Sequence, residues 1–329
     1  MITGGAGYIG SHTTKYFSQH GLQPVVLDNL HVGHRSAVRW SPLVECDLAE
    51  RGKLTQILHD YDIQAVIHFA AHCYVGESMT RPADYFQNNI VNTLHLLNAM
   101  REAGVRCFVF SSSCATYGIP ETGPIHEETP QRPINPYGES KLFVERALNW
   151  YGRAYGLKWV ALRYFNAAGA DFDGELGEEH DPETHLIPLA IQAALGMRGP
   201  LQVFGTDYPT PDGSAIRDYI HVWDLASAHY KALQYLRDGG ESCAVNVGAG
   251  TGYSVLEVIR AVEAVSALPV PVEFVGRREG DPPALVADPS AAKRTLQWTA
   301  CHSSLEQIVS SAFHWHSNSR TSKTHSGEL

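Results

Sequence analysis

No apolar run in this 329-residue chain approaches the roughly 18 consecutive residues that a membrane-spanning helix needs. A transmembrane helix is thereby excluded. Basic stripes are missing too. Lys and Arg number 25 against 35 Asp and Glu, a formal net charge of −10, so neither a nucleic-acid surface nor an anionic membrane surface is expected. The first residues lack the basic and apolar regions of a secretory signal. The 6 cysteines, Cys46, Cys73, Cys107, Cys114, Cys243 and Cys301, include no CxxC pair. Such scatter suits free thiols in a reducing compartment better than a disulfide framework, and a cytoplasmic protein is the expectation. No internal repeat is visible. Among the 17 histidines, His180 and His185 are close in sequence. Their spacing and the intervening Pro182 match no helical zinc motif, so no metal is expected.

What is present is a globular composition, 44% hydrophobic and 18% charged, in a chain long enough for a large core and two lobes. Apolar strand-like runs at 23–27, 43–46, 65–69, 107–110 and 159–162 alternate with helical patterns at 8–19, 53–60, 84–102 and 137–155. That rhythm predicts an α/β fold, a Rossmann-type doubly wound parallel sheet covered on both faces. Ligands of such sheets bind beyond the carboxyl ends of the strands. After about Ala168 the rhythm loosens into Gly-, Pro- and acid-rich loops at 169–184, 205–214 and 277–283, with helices within 186–195 and 254–265. We expect a dinucleotide-binding domain over 1–167 and a smaller mixed α/β substrate lobe over 168–316, with some later elements returning to the first domain. The polar, Ser-rich 317–329 is expected to be a disordered tail.

The chain opens Met1-Ile-Thr-Gly-Gly-Ala-Gly-Tyr-Ile-Gly10. Gly4 allows a tight turn, Gly7 lets backbone approach a phosphate, and Gly10 lets helix and strand pack closely. The helix N-terminus then offers N–H groups and a positive dipole end to a pyrophosphate. The next strand ends in Asp28, whose carboxylate accepts ribose hydroxyls and repels a 2′-phosphate, so NAD is favoured over NADP. Only Met1 and Ile2 precede the turn, whereas strands usually run about 5–6 residues, and a shortened start is the expectation for this central strand.

A second motif is Asn135-Pro-Tyr-Gly-Glu-Ser-Lys141. Asn135 is a good N-cap and Pro136 a good first helical residue. Tyr137 and Lys141 then share one helix face. A free tyrosine has a pKa of about 10. A neighbouring ammonium, a nicotinamide cation and the helix dipole would all favour phenolate, making Tyr137 a candidate for exchanging a proton with a substrate hydroxyl. Upstream, the strand at 107–110 runs into Ser111-Ser-Ser-Cys-Ala-Thr-Tyr-Gly118, where a hydroxyl would face the cofactor.

With His68-Phe-Ala-Ala71, Val75-Gly-Glu-Ser78, Asn88-Asn89, Arg163-Tyr-Phe-Asn-Ala-Ala-Gly169, Asp207-Tyr-Pro-Thr210, Arg217-Asp-Tyr-Ile-His-Val222 and Arg277-Arg-Glu-Gly-Asp281 added, nearly the whole chain resembles the extended short-chain dehydrogenase/reductase superfamily, in its nucleotide-sugar epimerase branch. The resemblance implies a catalytic triad of Ser113, Tyr137 and Lys141. It implies an NAD site of Gly4, Gly7, Tyr8, Ile9, Gly10, Asp28, Asn29, Asp47, Leu48, Phe69, Ala70, Asn88, Tyr137, Lys141 and Tyr164. On the UDP-sugar side it implies Ser113, Tyr137, Asn166, His185, Leu186, Phe204, Arg217, Tyr219, Arg278, Asp281 and Leu285. Two arginines suit a diphosphate because each guanidinium donates parallel hydrogen bonds. The implied reaction is reversible C4 epimerisation of UDP-glucose and UDP-galactose through a 4-keto sugar, with tightly held NAD. The implied assembly is a homodimer through the helices around 84–102 and 137–155.

Three positions depart from the family pattern. Cys73 stands where some members carry lysine, and His185 where some carry asparagine. Leu285 at the sugar-pocket gate is intermediate in size, which leaves UDP-N-acetylhexosamines open. UDP-pentoses also stay open, because a missing hydroxymethyl group is discriminated by only about 1–3 kcal/mol. A 4,6-dehydratase would need an acid pair where this chain has Cys114-Ala115. A non-catalytic NAD sensor would be expected to have lost the Tyr137–Lys141 pair, and both residues are present.

Overall fold

The computed structural model describes residues 1–121, 123–278 and 280–325, with side chains described as far as residue 318. Its strands are β1 (Ile2–Thr3), β2 (Val26–Asp28), β3 (Leu43–Glu45), β4 (Ala65–His68), β5 (Cys107–Ser113), β6 (Lys158–Tyr164), β7 (Asn166–Ala168), β8 (Leu201–Phe204), β9 (Ile216–His221), β10 (Cys243–Val247), β11 (Gly252–Ser254), β12 (Val272–Val275) and β13 (Ala284–Leu285). Seven of them form one parallel sheet in the order β10-β6-β5-β4-β1-β2-β3. The reversal between β1 and β4 is the switch point of a doubly wound sheet. The two-residue β1 lies there, flanked by β2 and β4.

Consecutive strand residues face opposite layers. Ile67, Val109, Val160 and Val245 pack with Phe17, Leu225 and Leu233 on one face. Val66, Phe108, Phe110 and Ala161 pack with Leu96, Met100, Val144 and Leu148 on the other. Both faces are thus covered, and the strands can be apolar without a break. β10 and the helix Val222–Arg237 come from the second half of the chain yet join this layer: β10 pairs with β6, and the helix packs on the helix Tyr8–Gln19.

Beyond the carboxyl edge lies a smaller assembly. β9 is flanked by β11 and β13 and also pairs with β7; β8 and β12 form a separate parallel pair. Its core is built from Ile187, Ile191, Val203, Val258, Val262, Ile308 and Val309.

Three elements differ from their sequence expectation. The strand expected at 23–27 is Val26–Asp28, because Pro24 has no N–H to give the ladder. The helix expected over 84–102 is a short turn Pro82–Tyr85, a π-helical stretch Phe86–Val91 and the helix Asn92–Ala103. In that wide turn Asn89 accepts from the His72 N–H at 2.8 Å and donates to the His72 carbonyl at 3.0 Å and to Ser140 Oγ at 3.1 Å. These bonds tie three segments together, a use typical of π-bulges. Finally, the helix Leu305–His325 continues through the segment expected to be disordered from 317. No Gly or Pro interrupts it before Gly327. The remaining tail residues, 326–329, lie outside the described residues.

Candidate active site

The helix Tyr8–Gln19 starts from Gly7 with no side-chain cap, so its first N–H groups are left for a ligand. A Cβ on Gly10 would stand 2.2 Å from the Gly4 carbonyl oxygen, whereas one on Gly7 would meet only that same oxygen, at 3.4 Å. Gly10 is therefore required by the protein's own packing. At Gly7 the open side of the turn leaves room for a phosphate. Gly10→Ala is expected to push the turn open, costing about 1–3 kcal/mol. Chromatography of nucleotide released from the purified variant should find most of the NAD lost, and full retention would contradict this reading.

Most of the other residues expected on the cofactor side follow or end the strands of the parallel sheet. Asp28 closes β2, and its carboxylate accepts the Ala6 and Leu30 N–H groups, each at 2.9 Å. It thus holds the glycine turn while lying next to it. Asn29 donates to Asp47 at 2.7 Å, and the Leu48 carbonyl is 3.3 Å from His95 Nδ1. Phe69 and Ala70 follow β4, with Ala70 against Gly4. Tyr8 leaves the turn to donate to the Gly169 carbonyl at 2.6 Å, and Ile9 packs into the core beside it. Asn88 lies in the π-helical stretch, donating to Asn89 at 3.1 Å. Tyr164 ends β6, hydrogen-bonded through its hydroxyl to Ser111.

Ser113 closes β5. The helix Pro136–Tyr155 starts as its sequence requires: Asn135 caps it, accepting the Gly138 N–H at 2.8 Å, with Pro136 at its first position. Tyr137 and Lys141 on its first turns are both buried, and the Ser113 hydroxyl is near enough to the Tyr137 phenol to favour its phenolate. Lys141 donates to the Ser111 carbonyl at 2.7 Å, its ammonium 5.7 Å from the Tyr137 ring centre.

The expected lowering of the phenol pKa is not produced by these protein groups. Burial pushes Tyr137 well above its ordinary value, with Tyr164 and Cys73 adding to the rise and the nearby Ser113 hydroxyl opposing it. Burial also brings Lys141 down to about 8, the nearby Cys73 opposing. The physical reason is that both groups are desolvated and the ammonium is aimed at a carbonyl rather than at the phenol.

The second set arrives from the smaller assembly. β7 and β9 pair in register, setting Asn166 opposite Tyr219, and Asn166 donates to the Asp218 carbonyl at 3.0 Å. Arg217 pairs with Asp281 and lies in register with Leu285 of β13. The Arg278 guanidinium stacks 3.8 Å from the centre of the Phe204 ring. Burial pushes the thiol of Cys114, the residue after Ser113, up to about 12 despite the nearby Arg217. Leu186 begins the helix Leu186–Ala194 and His185 precedes it. Burial would lower the His185 pKa, but the Glu178 charge and hydrogen bonds to Glu178 and Glu183 raise it well above the ordinary value.

Sequence reasoning passed over the buried network behind Ser113. Glu145 accepts from Ser112 Oγ at 2.5 Å and from Arg163, whose guanidinium also donates to Tyr117 Oη at 2.9 Å; Tyr117 donates to Asn246 at 2.7 Å. This chain locks the helix of Tyr137 and Lys141 against β5, β6 and β10. Glu145 lies four residues after Lys141 on that helix, a same-face spacing that could have pointed to it.

A Rossmann-type sheet with a glycine turn at its switch point, and a buried tyrosine, serine and lysine at its carboxyl edge, defines a dinucleotide-dependent enzyme. Residues 1–248 match the NAD dependent epimerase/dehydratase family, and the chain belongs to it. It is 51% identical over 319 residues, 97% of either chain, to a UDP-glucose 4-epimerase of Rhizobium leguminosarum bv. trifolii. Its fold is similar to the crystal structure of UDP-glucose 4-epimerase from Brucella ovis in complex with NAD, with a TM-score of 0.94 at 52% identity, covering 95% of this chain and 97% of that one. It is also similar to the Bifidobacterium longum UDP-glucose 4-epimerase in complex with NAD+ and UDP, with a TM-score of 0.92 at 36% identity, covering 97% and 98%.

Proposed function

We propose that this protein interconverts UDP-glucose and UDP-galactose by inverting C4, as an NAD-dependent UDP-sugar 4-epimerase. The observation that carries the reading is the buried meeting of Ser113, Tyr137 and Lys141 at the carboxyl edge of β5, beside the glycine turn. In this reading residues 1–167 hold the cofactor and 168–316 supply most of the substrate contacts. The glycine turn, Asp28 and the Asn29–Asp47 pair are suited to a dinucleotide's pyrophosphate, ribose and adenosine end. NAD held there would supply a reversible hydride acceptor for C4, with no net oxidation of the sugar.

The chain's own residues handle the proton and the geometry. Tyr137 takes the proton of the 4-hydroxyl as the hydride leaves C4, giving the 4-keto sugar, and returns that proton to O4 when the hydride comes back on the other face. Ser113 hydrogen-bonds the same oxygen and keeps it against the phenol. Arg217 and Arg278 anchor the diphosphate, so the hexose can turn over without leaving. Phe204, under Arg278, helps enclose the uracil.

Incubating the purified protein with UDP-galactose and no added NAD should produce UDP-glucose, followed by proton NMR. No conversion even after NAD is supplied would overturn the reading and direct attention to UDP-pentoses.

A homodimer fits this enzyme. Phe143, Trp150 and Tyr155 on the helix Pro136–Tyr155, with Met79 and Phe86 near the π-helical stretch, are large apolar side chains left exposed, Trp150 to 66%. Trp150→Glu is expected to halve the mass measured by light scattering, and an unchanged mass would rule this face out. Among the described residues no helix is long and apolar enough to cross a membrane, and the six cysteines are free, which supports a cytoplasmic setting.

A further inference from the structure

The loop leading into the helix Leu186–Ala194 gathers four side chains that the proposed epimerisation does not need as a group. Glu178, His180, Glu183 and His185 each present one donor atom, all within 4.8 Å of one another. His180 Nδ1 is 3.1 Å from Glu178 Oε1 and 3.9 Å from Glu183 Oε2, and His185 Nδ1 is 2.6 Å and 3.2 Å from Oε1 of the same two residues. The Glu178 and Glu183 side chains are only 4% and 6% exposed. Among the described residues neither carboxylate pairs with a lysine or arginine; imidazoles are their only basic ion-pair partners. Two carboxylates this buried need a counter-charge, which the imidazoles supply only when protonated.

A divalent ion cancels those charges. Zinc binds imidazole nitrogen and carboxylate oxygen at about 2.0–2.2 Å, so donors around a tetrahedral ion stand about 3.4 Å apart. The four observed contacts fall on either side of that separation, and small side-chain adjustments would seat the ion. Two imidazoles in the donor set select a transition ion over magnesium or calcium, which take oxygen. We propose that Glu178, His180, Glu183 and His185 form a binding site for one divalent transition-metal ion per chain.

The helical spacing rules that argued against a metal do not apply, because the donors come from a loop that turns back on itself. The ring centre of His180 lies 6.3 Å from that of Tyr8 and 5.7 Å from that of Tyr74, both edge-on. Tyr8 follows the glycine turn and also holds the Gly169 carbonyl. An ion here clamps the loop to the cofactor turn and sets the start of the helix at Leu186; it stands outside the hydride and proton steps.

The test uses tag-free protein with its resident nucleotide, stripped with a chelator. Zinc is then added under equilibrium dialysis, and cobalt(II) is added to a second sample. One tightly held zinc per chain, a higher melting temperature with zinc, and the intense d–d bands of four-coordinate cobalt are expected. Glu178→Gln and His180→Asn should each weaken zinc binding at least about tenfold, with retained nucleotide and circular dichroism reporting that they still fold. Zinc uptake that both variants leave unchanged would overturn the site. So would cobalt spectra of the wild-type protein without four-coordinate bands, a result that stands even if neither variant folds.

Discussion

Tyr137→Phe is expected to lower kcat by about 10²–10⁴-fold, the usual contribution of a positioned proton-transfer group, while KM for UDP-galactose changes little. The phenol is buried with the Ser113 hydroxyl nearby, so phenylalanine fills the same space and forfeits only the hydroxyl. The variant should fold, keep its NAD and bind substrate, since Arg217 and Arg278 are untouched. Because burial raises the Tyr137 pKa, the free phenol is a reluctant base. Its proton exchange depends on charge brought next to it, from Lys141 and from the oxidised nicotinamide. Lys141→Met should therefore depress kcat as well. Because Ser113 and Tyr137 act on one oxygen, the Ser113→Ala, Tyr137→Phe double variant should be little worse than Tyr137→Phe alone. Steady-state rates decide the matter: a Tyr137→Phe enzyme within tenfold of wild type would remove this residue from the proton path.

A comparably large effect is expected from mild acid. His12, His68, His221 and His229 are buried, and burial brings their pKa values down to about 4, 3, 3 and 4. All four therefore fall well below the unfolded value of about 6.5. The fold binds only the neutral rings, so their contribution is fully present above about pH 6.5 and is lost as pH falls towards 4. By pH 5 each forfeits about 2 kcal/mol, at roughly 1.4 kcal/mol per pH unit. Asp218 works the other way. Burial raises its pKa to about 6 despite the N–H groups of Ala249, Ala287 and Gly250, so it returns about 1.4 kcal/mol over the same interval. A net loss of about 5 kcal/mol or more is expected, comparable to a domain's whole stability. Urea unfolding at neutral pH and at pH 5 measures it. His229 is the position to change, because its ring lies 4.5 Å from Phe69 and its Nε2 has no partner among the described residues. His229→Phe should flatten the acid slope by about 2 kcal/mol, and an unaltered slope would clear that ring of a role.

The features legible before folding are those set by neighbours along the chain. The glycine turn, the Asn135 cap and the Tyr137–Lys141 spacing depend on backbone conformation over a few residues. Residue type alone decides such conformations. The alternation of apolar strands and helices likewise announced the parallel sheet, since burial on both faces leaves a period that can be read directly.

Tertiary structure decided the rest. The Glu145–Arg163 pair behind Ser113, the Arg217–Asp281 pair, Lys15 held by Asp171, Asp173 and Glu175, and the insertion of β10 beside β6 all join segments distant in sequence. The gathering of Glu178 with His185 depended on how a loop turns, which no helical spacing encodes. The direction of the Tyr137 pKa shift belongs here as well. Sequence puts a lysine near the phenol, but only packing determines how far water is excluded from both and that the ammonium points to the Ser111 carbonyl. Local backbone rules act before the chain is compact, whereas desolvation and long-range pairing exist only once it is.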